Sequence, residues 1–134
     1  MTNNERNNLL LERLVRFSQK VILLCQKLPE HLVNKRLIPQ TVASSDSMAS
    51  NYAEACEAES ALDFIHKIRI VKKESRETRV HLRLLYTANH NFREGIVILG
   101  KECTEFIKIF STIDKNYRLK VKKWSKKSVY SANI

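Results

Sequence analysis

Apolar positions recur at three- and four-residue steps over four long stretches, the spacing of one face of an α-helix. The first predicted helix runs from Leu9 to Leu28, with Leu11, Leu14, Ser18, Val21, Cys25 and Leu28 on its inner stripe. Pro29 ends it, because proline disfavours the helical conformation in the residue before it. The second is predicted over Leu37 to Glu57, with Pro39 near its start, where a missing N–H costs little. Its stripe is Ile38, Val42, Ser45, Met48 or Ala49, Tyr52 and Cys56, set among many Ser and Ala residues. Such small side chains admit a close neighbour but leave the helix dependent on packing. Ser60 with Asp63 reads as a capping-box variant opening a third helix that ends near Ala88. Its stripe is Ile65, Ile68, Val71, Ser75, Thr78, Leu82 and Leu85. After the polar break Asn89-His90-Asn91, a fourth helix is predicted from Phe92 to Ile113, with Ile96, Leu99, Cys103, Phe106 or Ile107, and Phe110 inward.

Four such helices joined by short breaks predict an all-α protein, an antiparallel up-down-up-down four-helix bundle with a basic C-terminal tail. Residues 1–8 read as a polar N-terminal arm, 9–115 as the bundle and 116–134 as the tail, extended, helical or disordered. Composition sharpens this. Gly and Pro number two each in 134 residues, which disfavours turn-rich sandwiches and barrels. No stretch is apolar enough to span a bilayer, and the start of the chain lacks the pattern of a secretory signal. The three cysteines, Cys25, Cys56 and Cys103, are widely spaced and form no C-x-x-C, so the expected setting is a reducing cytoplasm.

Charge is unevenly distributed. The net charge is +10, and residues 115–134 hold Lys115, Arg118, Lys120, Lys122, Lys123, Lys126 and Lys127 without one acid. Tyr117, Trp124 and Tyr130 lie among these cations. Cations attract phosphates and release counterions, and aromatic rings stack on exposed bases. The expected nucleic-acid-binding residues are therefore Arg118, Lys120, Lys122, Lys123, Lys126 and Lys127, with Trp124 stacking. Single-stranded or irregular RNA suits this pattern better than a DNA groove, and no long amphipathic basic helix points to a membrane.

Catalytic chemistry finds little support. There is no phosphate loop and no nucleophile elbow, and each cysteine sits on or beside an apolar stripe. A di-iron bundle needs two Glu-x-x-His motifs, and the chain offers only Asp63-x-x-His66. No metal, cofactor or catalytic residue is expected. Asn51 and Glu54 share a helical face, as do Glu74 and Glu77. If the second and third helices are joined near Glu57 to Ser60, Glu54 faces Asp63 to Lys67. Asn51, Glu54, Lys67, Glu74 and Glu77 are thus candidates for an interhelix polar network that fixes register.

The run from Gln40 to Leu85 carries a resemblance. Gln40, Ser44, Ser47, Asn51, Tyr52, Glu54 and Ala55, then Glu59, Ser60, Asp63, Phe64, Lys67, Lys73, Glu74, Glu77 and Thr78, fall in one ordered pattern. That pattern resembles the bacterial four-helix-bundle proteins first noted as products of intervening sequences in 23S ribosomal RNA genes. The family is similar to the accessory proteins of diversity-generating retroelements. The resemblance implies a homopentameric ring that binds nucleic acid or a partner such as a reverse transcriptase, with no catalytic residues. Leu9, Leu10, Val15, Ile22 and Leu24, with Phe64, Ile70, Val80 and Leu84, lie off the main stripes and are consistent with a second, oligomeric face. Ala43, Asp46, Lys72 and His81 depart from the family pattern, and the first two lower the positive charge of the second helix. The reading is a cytoplasmic, non-enzymatic, oligomeric RNA-binding bundle. The alternative is a ring-shaped protein-interaction scaffold.

Overall fold

A computed structural model describes the backbone of residues 1–132 and side chains through residue 127. Four helices follow one another: α1 (Asn3–Lys27), α2 (Leu32–Cys56), α3 (Ala61–Ala88) and α4 (Arg93–Ala132), with a 3-10 turn over His90–Phe92. Each helix packs on its sequence neighbours, and α1 also meets α4, which closes the bundle.

Three boundaries differ from the pattern-based expectation, each for a local reason. The segment 1–8 set apart as an arm is instead mostly the start of α1. Thr2 Oγ1 accepts from Glu5 N at 3.1 Å while Glu5 Oε2 accepts from Thr2 N at 3.0 Å, a reciprocal cap that draws the helix start back. α2 begins at Leu32 rather than Leu37, because His31 Nδ1 accepts from Asn34 N at 3.2 Å. Pro39 therefore lies inside the helix, not at its first turn. α4 does not stop at Ile113 but continues to Ala132, so the tail is helical throughout its described residues. The starts of α3 and the break after it match expectation: Ser60 Oγ accepts from Asp63 N at 3.0 Å.

The core forms along the predicted stripes of α3 and α4. All seven stripe residues of α3 are buried, as are Ile96, Leu99, Cys103, Phe106, Ile107 and Phe110 of α4. On α1 the largest core side chain is Phe17, which the pattern left off the stripe. Its ring meets Phe106 edge-on with centroids 5.4 Å apart. Phe106 stacks on Phe110, and Phe110 meets Tyr52 at 5.7 Å, so an aromatic row ties α1, α2 and α4 together. Arg13 of α1 forks onto Glu102 of α4 at 2.8 and 3.0 Å and lies over the Phe106 ring.

The α2–α3 seam is packed with small polar side chains. Thr41, Ser44 and Ser45 of α2 and Ser75 and Thr78 of α3 are buried. Thr78 Oγ1 lies 2.8 Å from both Ser44 Oγ and the Glu74 carbonyl. Most of the other hydroxyls donate back to carbonyls of their own helix, which satisfies them without a long partner. At one end, Asn34 and Asn89 exchange two amide hydrogen bonds of 2.7 and 2.9 Å. Asn34 also donates to the Pro29 carbonyl and Asn89 to the Leu85 carbonyl, so the α1–α2 and α3–α4 connections are stapled together.

Asn34→Ala leaves Asn89 Oδ1 buried without its donor, an unsatisfied acceptor that costs about 2 kcal/mol, while Asn89 Nδ2 keeps the Leu85 carbonyl. The urea midpoint should fall accordingly while the slope stays unchanged.

Candidate nucleic-acid interface

The last part of α4 runs on past the bundle. Apolar and buried positions of α4 keep one register from Ile96 through Leu99, Cys103, Phe106 and Phe110 to Asp114. At about 100° per residue the same line passes through Tyr117, Val121 and Trp124. Tyr117 is half-buried against the core edge, whereas Val121 is exposed and Trp124 is 59% exposed. The register is continuous, but the partner helices are not.

Helical geometry separates the aromatic stripe from the cations that the sequence interleaves with it. Arg118, Lys122 and Lys126 follow at four-residue steps and make one row, with Lys115 beside them. Lys120, Lys123 and Lys127 make a second row. Trp124 is four residues after Lys120 and three before Lys127, so it borders that second row only. The two rows cover an arc of about 200°. All the predicted cations from Lys120 to Lys127 are exposed. The side chains of Val129 and Tyr130 lie outside the described residues.

Asp114 marks the root of this arm. It is 5% exposed, and its carboxylate meets Arg69 at 3.0 Å, Lys72 at 3.4 Å and Arg118 at 3.5 Å. Burial would raise its pKa, but the hydrogen bonds from Arg69 and Lys72 and the charges of Arg69 and Arg118 outweigh it and hold the carboxyl below its usual range. Three cations on one acid leave a local surplus of positive charge where the arm leaves the bundle. Lys72, a departure from the family pattern, is one of the three. Of the cations expected to bind nucleic acid, Arg118 is thus held by a carboxylate.

The expected interhelix network forms only in part. Lys67 Nζ lies 2.6 Å from Glu54 Oε2 across the α2–α3 turn. Asn51 does not join them: its amide donates to the Ser47 carbonyl of its own helix at 2.8 Å. Glu74 and Glu77 stand apart from that pair and interact with each other. Desolvation first, then the charge and hydrogen bond of Glu77, push the Glu74 carboxyl up, and Lys73 opposes them. Both line a cleft on the α2–α3 surface with Gln40, Ser44, Ser47 and His81. His81 Nδ1 is buried there without a partner.

The thiols are poor nucleophiles. Burial pushes Cys25 up to about 11 and Cys103 up to about 12, and Cys56 is raised as well. Cys103 donates to the Ser75 carbonyl at 3.0 Å. Among the described residues, no three His, Cys, Asp or Glu side chains are placed to hold a metal ion. No described helix is long and apolar enough to cross a membrane.

Comparison with known proteins places this arrangement. Residues 6–112 match the family model described as 23S rRNA-intervening sequence protein. A solved structure from Bacteroides thetaiotaomicron, a protein with unknown function from the S23 ribosomal protein family, is similar to this chain at 29% identity with a TM-score of 0.70. The match covers 81% of this chain and 97% of that one. No curated protein matches. The helical arm after residue 112 lies beyond the region matched by the family model.

Two substitutions should respond to pH in opposite senses. The lowered pKa of Asp114 contributes stability that is present above about pH 4 and is lost as pH falls through that pKa. Asp114→Asn should therefore lower Tm at pH 7, with the gap to the parent closing in acid. Its partly exposed partners limit the cost to about 1–2 kcal/mol. The raised pKa of Glu74 means the folded state takes up a proton more readily, so stability falls as pH rises from about 4 through that pKa. Glu74→Gln should raise Tm at pH 7 and leave it unchanged at pH 3.

Proposed function

We propose that this chain, which belongs to the 23S rRNA-intervening sequence protein family, is a non-enzymatic nucleic-acid-binding protein whose helical arm grips RNA. The observation that carries the reading is the arm itself. Seven cations and no acid occupy residues 115–134, and those from Lys120 to Lys127 are free of ion pairs among the described residues. A cation that has no internal carboxylate is available to a phosphate and gains by releasing counterions.

The helix supports a division of labour. Lys122 and Lys126 form the row that follows a phosphate backbone, and Arg118, paired with Asp114, anchors that row at the bundle. Lys120, Lys123 and Lys127 form the row beside Trp124, where a base unstacked from its neighbours can lie on the indole. RNA is favoured over duplex DNA because the exposed ring offers stacking, which single strands and loops can use. The oligomer implied by the family resemblance, a homopentamer, would present several arms together and multiply weak contacts. Leu9, Ile22 and Leu23 of α1 are exposed and support a second apolar face for such assembly. The cytoplasm is the setting in which such a protein meets RNA.

The scaffold reading, in which the protein serves chiefly to hold a partner enzyme, is favoured by a different surface, the exposed apolar side chains Val80 and Leu84 of α3 and Val97 and Ile98 of α4.

Binding to labelled RNA across a salt series tests the arm. Replacing Arg118, Lys120, Lys122, Lys123, Lys126 and Lys127 by Ala should cut affinity strongly and flatten the slope of log K against log salt by up to about 4 for single strands. Trp124→Ala should weaken binding by about 1–3 kcal/mol and leave that slope unchanged. An unaltered slope in the six-alanine variant would remove the arm from the interface.

A further inference from the structure

The charges of α3 are sorted by side. Arg69, Lys72, Arg76, Arg79 and Arg83 follow at alternating three- and four-residue steps, so they share an arc of about 80° on the helix. Lys72 and Arg79 are half-buried and the other three are exposed, the burial of a helix flank. Most of the row is turned toward α4. Arg69 and Lys72 reach Asp114, and Arg79 and Arg83 line the α3–α4 groove with Gly100, Lys101 and Thr104. Arg76 sits between them nearer the outer crest and also borders the α2–α3 cleft. The acids of the same stretch, Glu74 and Glu77, lie on the α2 side, in that cleft. No acid lines the α3–α4 groove.

Two observations join this row to the arm. Arg118 and Lys122 stand 18 residues, five full turns, after Gly100 and Thr104, so they occupy the line of α4 that faces the α3 row. Asp114 is the joint: Arg69 and Lys72 of α3 and Arg118 of the arm meet on its carboxylate. One acid among three cations neutralises one charge, and the side chains of Arg69 and Arg118 stay 48% and 61% exposed. Arg76, Arg79, Arg83 and Lys101 form no ion pair among the described residues. Like charges three and four residues apart on a helix repel. The bundle gains nothing from that repulsion, whereas a polyanion laid along the row relieves it and releases counterions.

We propose that the cationic row of α3 is a second phosphate-binding element, continuous with the arm, so that one RNA strand runs from Lys126 past Asp114 to Arg83. The inference rests on the nucleic-acid reading and carries the interface from the arm into the bundle, within the region matched by the family model. The α3 row adds about 20 Å to the arm row, for a track of about 35 Å. Its contribution is charge rather than stacking. Tyr86, the next residue on the same line, already has its ring under the Arg93 guanidinium, 4.4 Å from the centroid. Val80 and Leu84 lie on the outer crest of α3, beside the row and outside it.

The test uses the full chain and fluorescent oligouridylates of about 6 and about 20 nucleotides across a salt series. Arg79→Gln with Arg83→Gln and Lys101→Gln should weaken the longer strand by at least about tenfold and flatten its slope of log K against log salt by up to about 2. The shorter strand, which the arm alone can hold, should weaken by less than about threefold. Tm should stay level or rise, since like-charged neighbours are removed. A control that takes three exposed cations from α1 and α2, Arg16→Gln with Lys27→Gln and Lys35→Gln, should leave the slope unchanged. An equal loss in that control overturns the proposal, as does a change of oligomer mass in light scattering for the row variant. A flattened slope in the six-alanine arm variant with none in the row variant also overturns it and leaves the arm in place. A flattened slope in the row variant with none in the arm variant removes the arm and keeps the row. Failure of the parent to bind either strand removes the nucleic-acid reading and the proposal with it.

Discussion

The unbroken register of α4 is the constraint on which the rest of the molecule hangs. One line of side chains, from Ile96 through Phe110 to Tyr117, faces the other three helices. Within that line Phe106 receives Phe17 of α1 and Phe110 receives Tyr52 of α2. Because a helix turns through the same angle at every residue, this register also fixes what happens beyond the bundle. It directs Val121 and Trp124 along the core line and the lysines away from it. The arm inherits its two faces from the packing of residues twenty positions earlier.

Polar groups do as much as apolar ones to define the pairing of helices. α2 contributes Thr41, Ser44 and Ser45 where most bundles would place leucine, and their hydroxyls are satisfied locally or against Thr78. This lets α2 and α3 approach closely along a seam with little side-chain bulk. The Asn34–Asn89 amide pair then closes one end, and the Asp114 cluster holds α3 against α4 near the root of the arm. Each of these groups is costly to bury alone and is tolerable only with its partner in place. They therefore select one arrangement of four similar helices.

The described surface divides by chemistry rather than by domain. The arm offers cations on two rows with an indole at one border, a geometry suited to a polyanion with exposed bases. Away from the arm, Val80 and Leu84 of α3 and Val97 of α4 leave apolar side chains exposed near Arg79, Arg83 and Lys101. Both draw on the same excess of positive charge, but no residue serves both. The buried thiols, held protonated by desolvation, add no nucleophile.

The periodicity of apolar residues by itself determined the four helices, the complete inner stripe of α3 and the core line of α4, because those positions repeat without interruption. It also isolated the cations of the arm, since charge composition needs no fold to be read. The Thr2–Glu5 cap and the His31 cap lie outside the apolar pattern, so periodicity alone starts both helices too late. Periodicity alone passes over Phe17, because Leu14, Ser18 and Val21 already supply a plausible face. Tertiary structure alone decided the rest. Asn34 and Asn89 lie 55 residues apart and carry no local signal of pairing. Asn51 turned to its own helix because the Ser47 carbonyl is within reach at no cost in chain entropy. Arg118 was spent on Asp114, Trp124 was set apart from half of the cations, and Gly100 was left facing open space. Each of these depends on which residues from distant segments share a surface, and that is fixed only when the helices pack.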